Sequence, residues 1–311
     1  MTGYFLKRLG TGIITLLFAS VVVFYLIHLI PGDPARQLLG VRATEESVKA
    51  IRTSLGLDGS LFTQYRIFMT HLLSGDLGTS IRYRTPVLDL ILSRLPATGF
   101  LILYAMFLSI VVGVPIGIIA ALKREKLLDH VARIGVMTLM AIPAFWLGTM
   151  LILIVGLEVQ LFPVSGYGDS FKEHIVHLFL PALTLSIWMA GLIVRNLRDS
   201  VIGVIDSPHV VFARLRGFPS GVVLRRYVLR TSCMSTITII GVNVSYLLAG
   251  SVVVENVFSI PGTGSLLIDA VFARDYAVVQ GVTLLYAVIV ISVNILADAS
   301  YPLLDPRVRL T

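Results

Sequence analysis

Six stretches of the chain run nearly without charge for about 18 residues or more, enough to cross about 30 Å of hydrocarbon at 1.5 Å per residue. They lie near 9–30, 100–122, 134–157, 178–196, 235–254 and 277–301, and each is expected as a transmembrane helix. The first exceeds the apolar core of a secretory signal and ends in Pro31-Gly32-Asp33-Pro34 without a small-x-small cleavage site, so it reads as a retained anchor. Between the first two runs the pattern changes to helical amphipathicity. Thr44 is placed to cap a helix carrying Val48, Ile51 and Leu55 on one face before Gly56, and Phe62, Tyr65, Met69 and Leu72 repeat the spacing. These helices are expected on the outer membrane surface or packed against the spans. Four segments follow: a terminal end with the first span (1–30), an external region (31–99), a five-helix core (100–302) with a basic loop at 196–232, and a tail (303–311).

Composition supports this reading. Of 311 residues, 56% are apolar and 14% charged, against roughly 45–50% and about 25% in soluble domains. A net charge of +7 would otherwise point to nucleic acid, but in a polytopic chain basic residues set orientation. The short loops alternate, with 15 Lys and Arg on one side and 2 on the other, so both termini are expected in the cytoplasm. The lone Cys233 has no partner for a bridge and reads as a small buried residue.

Catalytic signatures are missing. The chain has no G-x-S-x-G, H-E-x-x-H or C-x-x-C, and none of Lys7, Lys49, Lys123, Lys126 and Lys172 follows a glycine as a phosphate-binding loop requires. No catalytic residue, metal site or resident cofactor is expected. His174 and His177 share a helical face but have only Glu173 nearby, which fits a membrane-interface pair better than a metal site. His28, Glu255 and Asp298 fall near span ends and are read as snorkelling or capping. Gly113 and Gly117 form a G-x-x-x-G that lets helices approach closely. The run Ser259-Ile260-Pro261-Gly262-Thr263-Gly264 looks superficially like a phosphate loop, and a tight external turn is expected there.

The basic loop carries the most explicit punctuation. Ser207 suits an N-cap, Pro208 the first helical position and Gly217 the residue past the last turn, giving a helix of about nine residues. Ser220 is placed to cap the next helix. So short a helix is marginal by itself. Its Val210, Val211, Phe212 and Leu215 call for a partner's groove or, equally on these grounds, for an anionic lipid surface.

Phe212-Ala213-Arg214-Leu215-Arg216-Gly217, followed by Val223-Leu224-Arg225-Arg226-Tyr227-Val228-Leu229-Arg230, resembles the EAA loop of binding-protein-dependent ABC importer permeases. The similarity is strongest to the dipeptide, oligopeptide and nickel permeases and runs from end to end. It includes Leu29-Ile30-Pro31-Gly32-Asp33-Pro34, Ser74-Gly75-Asp76-Leu77-Gly78-Thr79-Ser80, Arg94-Leu95-Pro96-Ala97-Thr98 and the stretch from Val254 to Gly264. It continues through Ala273-Arg274-Asp275-Tyr276, Val279-Gln280-Gly281 and Leu304-Asp305-Pro306-Arg307-Val308-Arg309.

The resemblance implies an all-α polytopic protein, a type I importer core with an added first helix and external helices, in a bacterial or archaeal plasma membrane. It implies the first permease of a heterodimer, with two ATPase subunits that hold ATP and Mg²⁺, an extracytoplasmic solute-binding protein and surrounding lipid as partners, and no nucleic acid. Pro208, His209, Val210, Val211, Phe212, Ala213, Arg214, Leu215, Arg216 and Gly217 would then form the helix that couples to the ATPase. Peptides are the expected cargo, with nickel chelates, glutathione and oligosaccharides as alternatives; substrate contacts are unassigned. The scarcity of buried charge places selectivity in the binding protein. An ion-coupled secondary transporter would show midplane carboxylates and broken helices, and neither is evident in the sequence.

Overall fold

The computed structural model describes residues 2–29, 44–47, 49 and 59–304. Its described elements are α1 (Thr2–Leu29), α2 (Leu61–Leu73), α3 (Val87–Leu122), α4 (Leu127–Ala141), α5 (Ala144–Leu151), α6 (Phe171–His177), α7 (Phe179–Ile205), α8 (Pro208–Leu215), α9 (Arg230–Val257), α10 (Thr263–Ala273) and α11 (Tyr276–Leu304). Two π-helical stretches, Ile152–Glu158 and Val223–Leu229, extend α5 and lead into α9. Among the described residues five helical segments are long and apolar enough to cross a membrane, and six if a bent pair counts as one span.

That pair corrects the third expected span. Instead of one helix over 134–157, α4 and the α5 segment meet at an angle of 99°. Pro143 is the cause: it lacks an N–H, and it forces Ile142 into an extended conformation at φ −77°, ψ 126°. An apolar run reports length and is blind to such a break. The second span also differs, since α3 begins at Val87 and absorbs the Arg94–Thr98 motif, with Pro96 and Pro115 inside the helix.

The chain divides into two compact units. One comprises Leu6–Leu95 and Leu266–Ile289. Its core is Val87, Ile91, Leu266, Ala270, Val278 and Val282. Thr44 caps the turn after it, its Oγ1 accepting the Ser47 N–H at 3.3 Å, while Val48, Ile51, Leu55 and Gly56 lie outside the described residues. The second amphipathic helix is α2, capped by Ser60. Tyr65 and Phe68 pack on Phe24 of α1 with ring centroids 5.4 and 5.7 Å away, and Tyr65 hydrogen bonds to Ser20 at 2.9 Å. It therefore packs against a span. Phe62 faces outward.

The other unit comprises Met1–Phe5, Pro96–Ser265 and Val290–Thr311. One core cluster gathers Leu101 and Ala105 of α3, Leu185, Met189 and Ile193 of α7, and Leu247 and Val254 of α9. A second gathers Ala121, Leu197, Val201, Val210, Ala213, Val223 and Val228, with Cys233 packed at its edge and only half-buried, not fully buried as its residue type suggested. The close approach expected of Gly113 and Gly117 is present. A Cβ at Gly113 would lie 3.0 Å from Ile193 and 3.1 Å from the Ala190 carbonyl, and one at Gly117 3.2 Å from the Val194 carbonyl.

Because Ile193 and the α7 backbone cannot easily retreat, Gly113→Val is expected to destabilise the protein by about 1–3 kcal/mol. The readout is a lower thermal midpoint in detergent. Gly135→Ala, whose added Cβ meets nothing within 4 Å, is expected to leave that midpoint in place.

Candidate functional site

The basic loop forms where α7 ends, at Ile205. Ser207 takes the N-cap position, but its Oγ donates to the Val204 carbonyl at 2.5 Å and makes no capping bond. Pro208 supplies the first helical residue, as its fixed φ and missing N–H favour. The end is better defined. Gly217, at φ +76°, donates to the Arg214 carbonyl at 2.9 Å, and Phe218 donates to the Ala213 carbonyl at 3.4 Å. This paired arrangement is a Schellman motif, and a side chain at that φ would be strained. Pro219, not Ser220, holds the next N-cap position; Ser220 is the first residue of the turn that follows.

The ten residues singled out divide between two faces. Val210 and Ala213 are buried in the second core cluster, against Leu197 and Val201 of α7. Val211, Phe212 and Leu215 point away from the chain, with Leu215 80% exposed and Phe212 61% exposed. Pro208, His209, Arg214, Arg216 and Gly217 are exposed as well, and the Arg216 guanidinium lies 5.4 Å over the Phe212 ring. An eight-residue helix is thus held by two small apolar side chains and presents three larger ones, edged by arginines.

An ion pair that no motif announced braces the same region. Arg198 of α7 grips Asp129 of α4 with two hydrogen bonds, Nε to Oδ1 at 2.6 Å and Nη2 to Oδ2 at 2.8 Å. The Glu125 N–H adds a third at 3.0 Å, so the fully buried Asp129 carboxylate is well satisfied. Their separation of 69 residues leaves no local sequence signal.

Glu255 does not snorkel, because it is completely buried; the capping role expected of it is present, since it accepts N–H groups from the first turn of α10. Its Oε1 accepts from Thr98 Oγ1 at 2.7 Å, and its Oε2 accepts the N–H groups of Gly264 and Ser265 at 2.7 and 3.0 Å. Thr98 Oγ1 in turn accepts the Thr263 N–H at 2.8 Å. The glycine run that looked like a phosphate loop therefore does cradle an anion, the chain's own carboxylate. A Cβ at Gly262 would fall on that carboxylate, which explains the residue there. His28 and Asp298 have side chains outside those described.

In the other unit two further sequence motifs meet. Ser80 Oγ donates to Asp275 Oδ2 at 2.5 Å, and the Arg82 N–H donates to the same oxygen at 3.1 Å. Asp76 accepts from His71 and from the Gly78 N–H, and these bonds hold its carboxyl below the ordinary range. His174 and His177, considered as an interface pair, each face a backbone carbonyl, that of Tyr167 at 2.9 Å and of Ser165 at 2.8 Å. They fasten the preceding loop to α6, with His174 stacked on Tyr167 at 3.9 Å.

Residues 113–310 match the family described as "Binding-protein-dependent transport system inner membrane component", and residues 1–102 match its N-terminal family. The glutathione transport system permease protein GsiC of Salmonella choleraesuis is 38% identical over 309 residues, 99% of each chain. The dipeptide transport system permease protein DppB of Escherichia coli K12 is 35% identical, again over 99% of both chains. Among solved structures, an inward-facing MetNI methionine ABC transporter superposes with a TM-score of 0.57 at 17% identity, covering 69% of this chain and 96% of that one. An amino acid ABC transporter does so at 0.53, also at 17% identity, covering 68% and 93%. These structures share the fold.

Removing the buried acceptor tests the clasp. Glu255→Ala leaves three donors without their partner, at a cost of about 1–3 kcal/mol each. Hydrogen exchange at the Gly264 and Ser265 amides is expected to accelerate about tenfold or more, with Glu255→Gln intermediate. Unchanged exchange in the alanine variant would show that the carboxylate does not hold the loop.

Proposed function

The chain belongs to the binding-protein-dependent transport system inner membrane components, and from that premise we propose that it is one of two permease subunits of an ABC importer for short peptides. Supporting this cargo, the relatives named above are permeases for glutathione and for dipeptides, and both cargoes are built of amino acids joined by amides. The charge bias of the short loops favours cytoplasmic termini, which puts α8 on the cytoplasmic side. A second permease, two ATPase subunits carrying ATP and Mg²⁺, and an external solute-binding protein complete the assembly. This subunit has no Walker sequence of its own.

The observation that carries the mechanism is the division of α8 into a buried and an exposed face. Val210 and Ala213 fix the helix to α7 and to the π-helical stretch that leads into α9, while Val211, Phe212 and Leu215 remain for a groove on the ATPase. Burying Phe212 and Leu215 contributes about 1.5–3 kcal/mol each. A docking contact shifts the inward–outward equilibrium only by the difference it makes between the two states, and near-complete switching takes about 5.5 kcal/mol. ATP-driven closure of the ATPase pair moves the groove, α8 follows, and the spans fixed to it open the path towards the binding protein. Hydrolysis resets the arrangement.

Ala213 faces the chain's own core, so the substitutions that interrogate docking are on the outer face. In the assembled transporter, Leu215→Asp and Phe212→Asp are expected to lower uptake of a labelled dipeptide about tenfold or more, together with its stimulation of ATP hydrolysis. Leu215→Met, which keeps the apolar contact, is expected to restore both. Uptake at the original rate in the aspartate variants would overturn the coupling role.

A further inference from the structure

A cavity of about 400 Å³ opens at the break between α4 and α5, enclosed by those two helices and by facing stretches of α7 and α9. Ile142 and Pro143 line it on one side; Trp188 and Tyr246 line it on the other, their rings stacked 3.7 Å apart at 16°. Tyr246 is 52% exposed although it sits in the middle of a membrane-spanning helix. None of the residues lining the cavity carries a charge.

The backbone at the break determines what can fill this space. Pro143 has no N–H, and the Ile142 N–H turns to the Leu139 carbonyl at 3.3 Å, so the regular helical ladder stops there. Interrupted backbone inside an apolar span persists where it is buried in protein or lines a hydrated cavity. Pro143 at the N-cap of α5 has no side chain to accept the first N–H groups of that helix, and an acyl chain would leave them unsatisfied. A hydrated space of this size, mainly apolar with a few polar groups at one wall, matches small-molecule sites, which run from about 300 to 1,000 Å³.

We propose that this cavity is a transit site for one apolar or aromatic side chain of a short peptide, with the Trp188–Tyr246 stack as its binding face. The proposal rests on the peptide reading above. It also revises the expectation that selectivity lies wholly outside this chain. Aromatic faces hold a planar or apolar side chain through dispersion and edge or offset ring contacts. The peptide's charged termini find no counter-charge in the lining and remain in the water at the break. Binding is accordingly weak, as passage through a conduit requires.

The test uses the complete transporter in proteoliposomes with its binding protein, taking up labelled phenylalanyl-phenylalanine and glycylglycine in competition. Trp188→Ala and Tyr246→Ala are expected to lower the phenylalanyl-phenylalanine to glycylglycine uptake ratio about fivefold or more, and Trp188→Phe to restore it. The binding protein's affinity for each peptide, measured separately, removes its own preference from the ratio. An unchanged ratio overturns the proposal, whether uptake of both peptides falls together, as it would if the second permease covers this face, or neither falls. If the unmodified transporter takes up neither peptide while its ATP hydrolysis responds to another solute, the peptide reading itself fails and this one goes with it.

Discussion

The pairing of α7 with α9 sets where everything else in the larger unit can go. The two helices run antiparallel and are joined by a series of side-chain rungs. Ser200 Oγ donates to the Ser232 carbonyl, Ser235 and Thr236 donate to Asn196 Oδ1, Trp188 stacks on Tyr246, and Leu185 packs over Gly250. Inside a membrane no hydrophobic force drives helices together, so small residues and interhelical hydrogen bonds must supply the contact. The pair follows that rule along most of its length. The loop between the two helices is consequently a strap with both ends fixed, and α8 is its middle.

That geometry gives a short helix mechanical meaning. By itself α8 is too short to persist in water. Anchored through Val210 and Ala213, it is held against the end of α7 and the π-helical stretch that leads into α9, and the proposed coupling rests on that placement. The Asp129–Arg198 pair connects α4, the half-span before the Pro143 break, to the same end of α7. The Glu255 clasp fixes the far end of α9 to the first turn of α10 and to Thr98. Of the three fully buried carboxylates among the described residues, Asp129 and Glu255 have donors on both oxygens, whereas Asp275 is bonded through Oδ2 and its Oδ1 has no hydrogen-bond partner.

Much of this was legible in the chain itself. Length and hydropathy place the spans, and Pro208 and Gly217 bracket α8 because each has a conformational preference that only a helix start or a left-handed turn satisfies. The quoted motifs were legible as motifs, but their pairing was not. That Thr98 meets Glu255, or Ser80 meets Asp275, depends on contacts 157 and 195 residues apart, which no local pattern encodes. Ser207 illustrates the opposite failure. Its residue type suits an N-cap, but the nearby end of α7 offers its hydroxyl the Val204 carbonyl, and that bond is the one formed. Pro143 did carry a visible signal for the break, yet Pro96 and Pro115 sit inside a continuous helix, so proline alone does not decide the matter.

The central claim is that α8 is the element through which this permease holds its ATPase. Affinity purification of the chain from its native membrane in mild detergent, followed by mass spectrometry of what remains bound, tests it most directly. A Walker-containing ATPase and a second six-span permease are expected in the purified complex, with the ATPase lost on deletion of Ser207 to Gly217. A chain that purifies alone or only with itself, and moves solute in liposomes without ATP, would contradict the account.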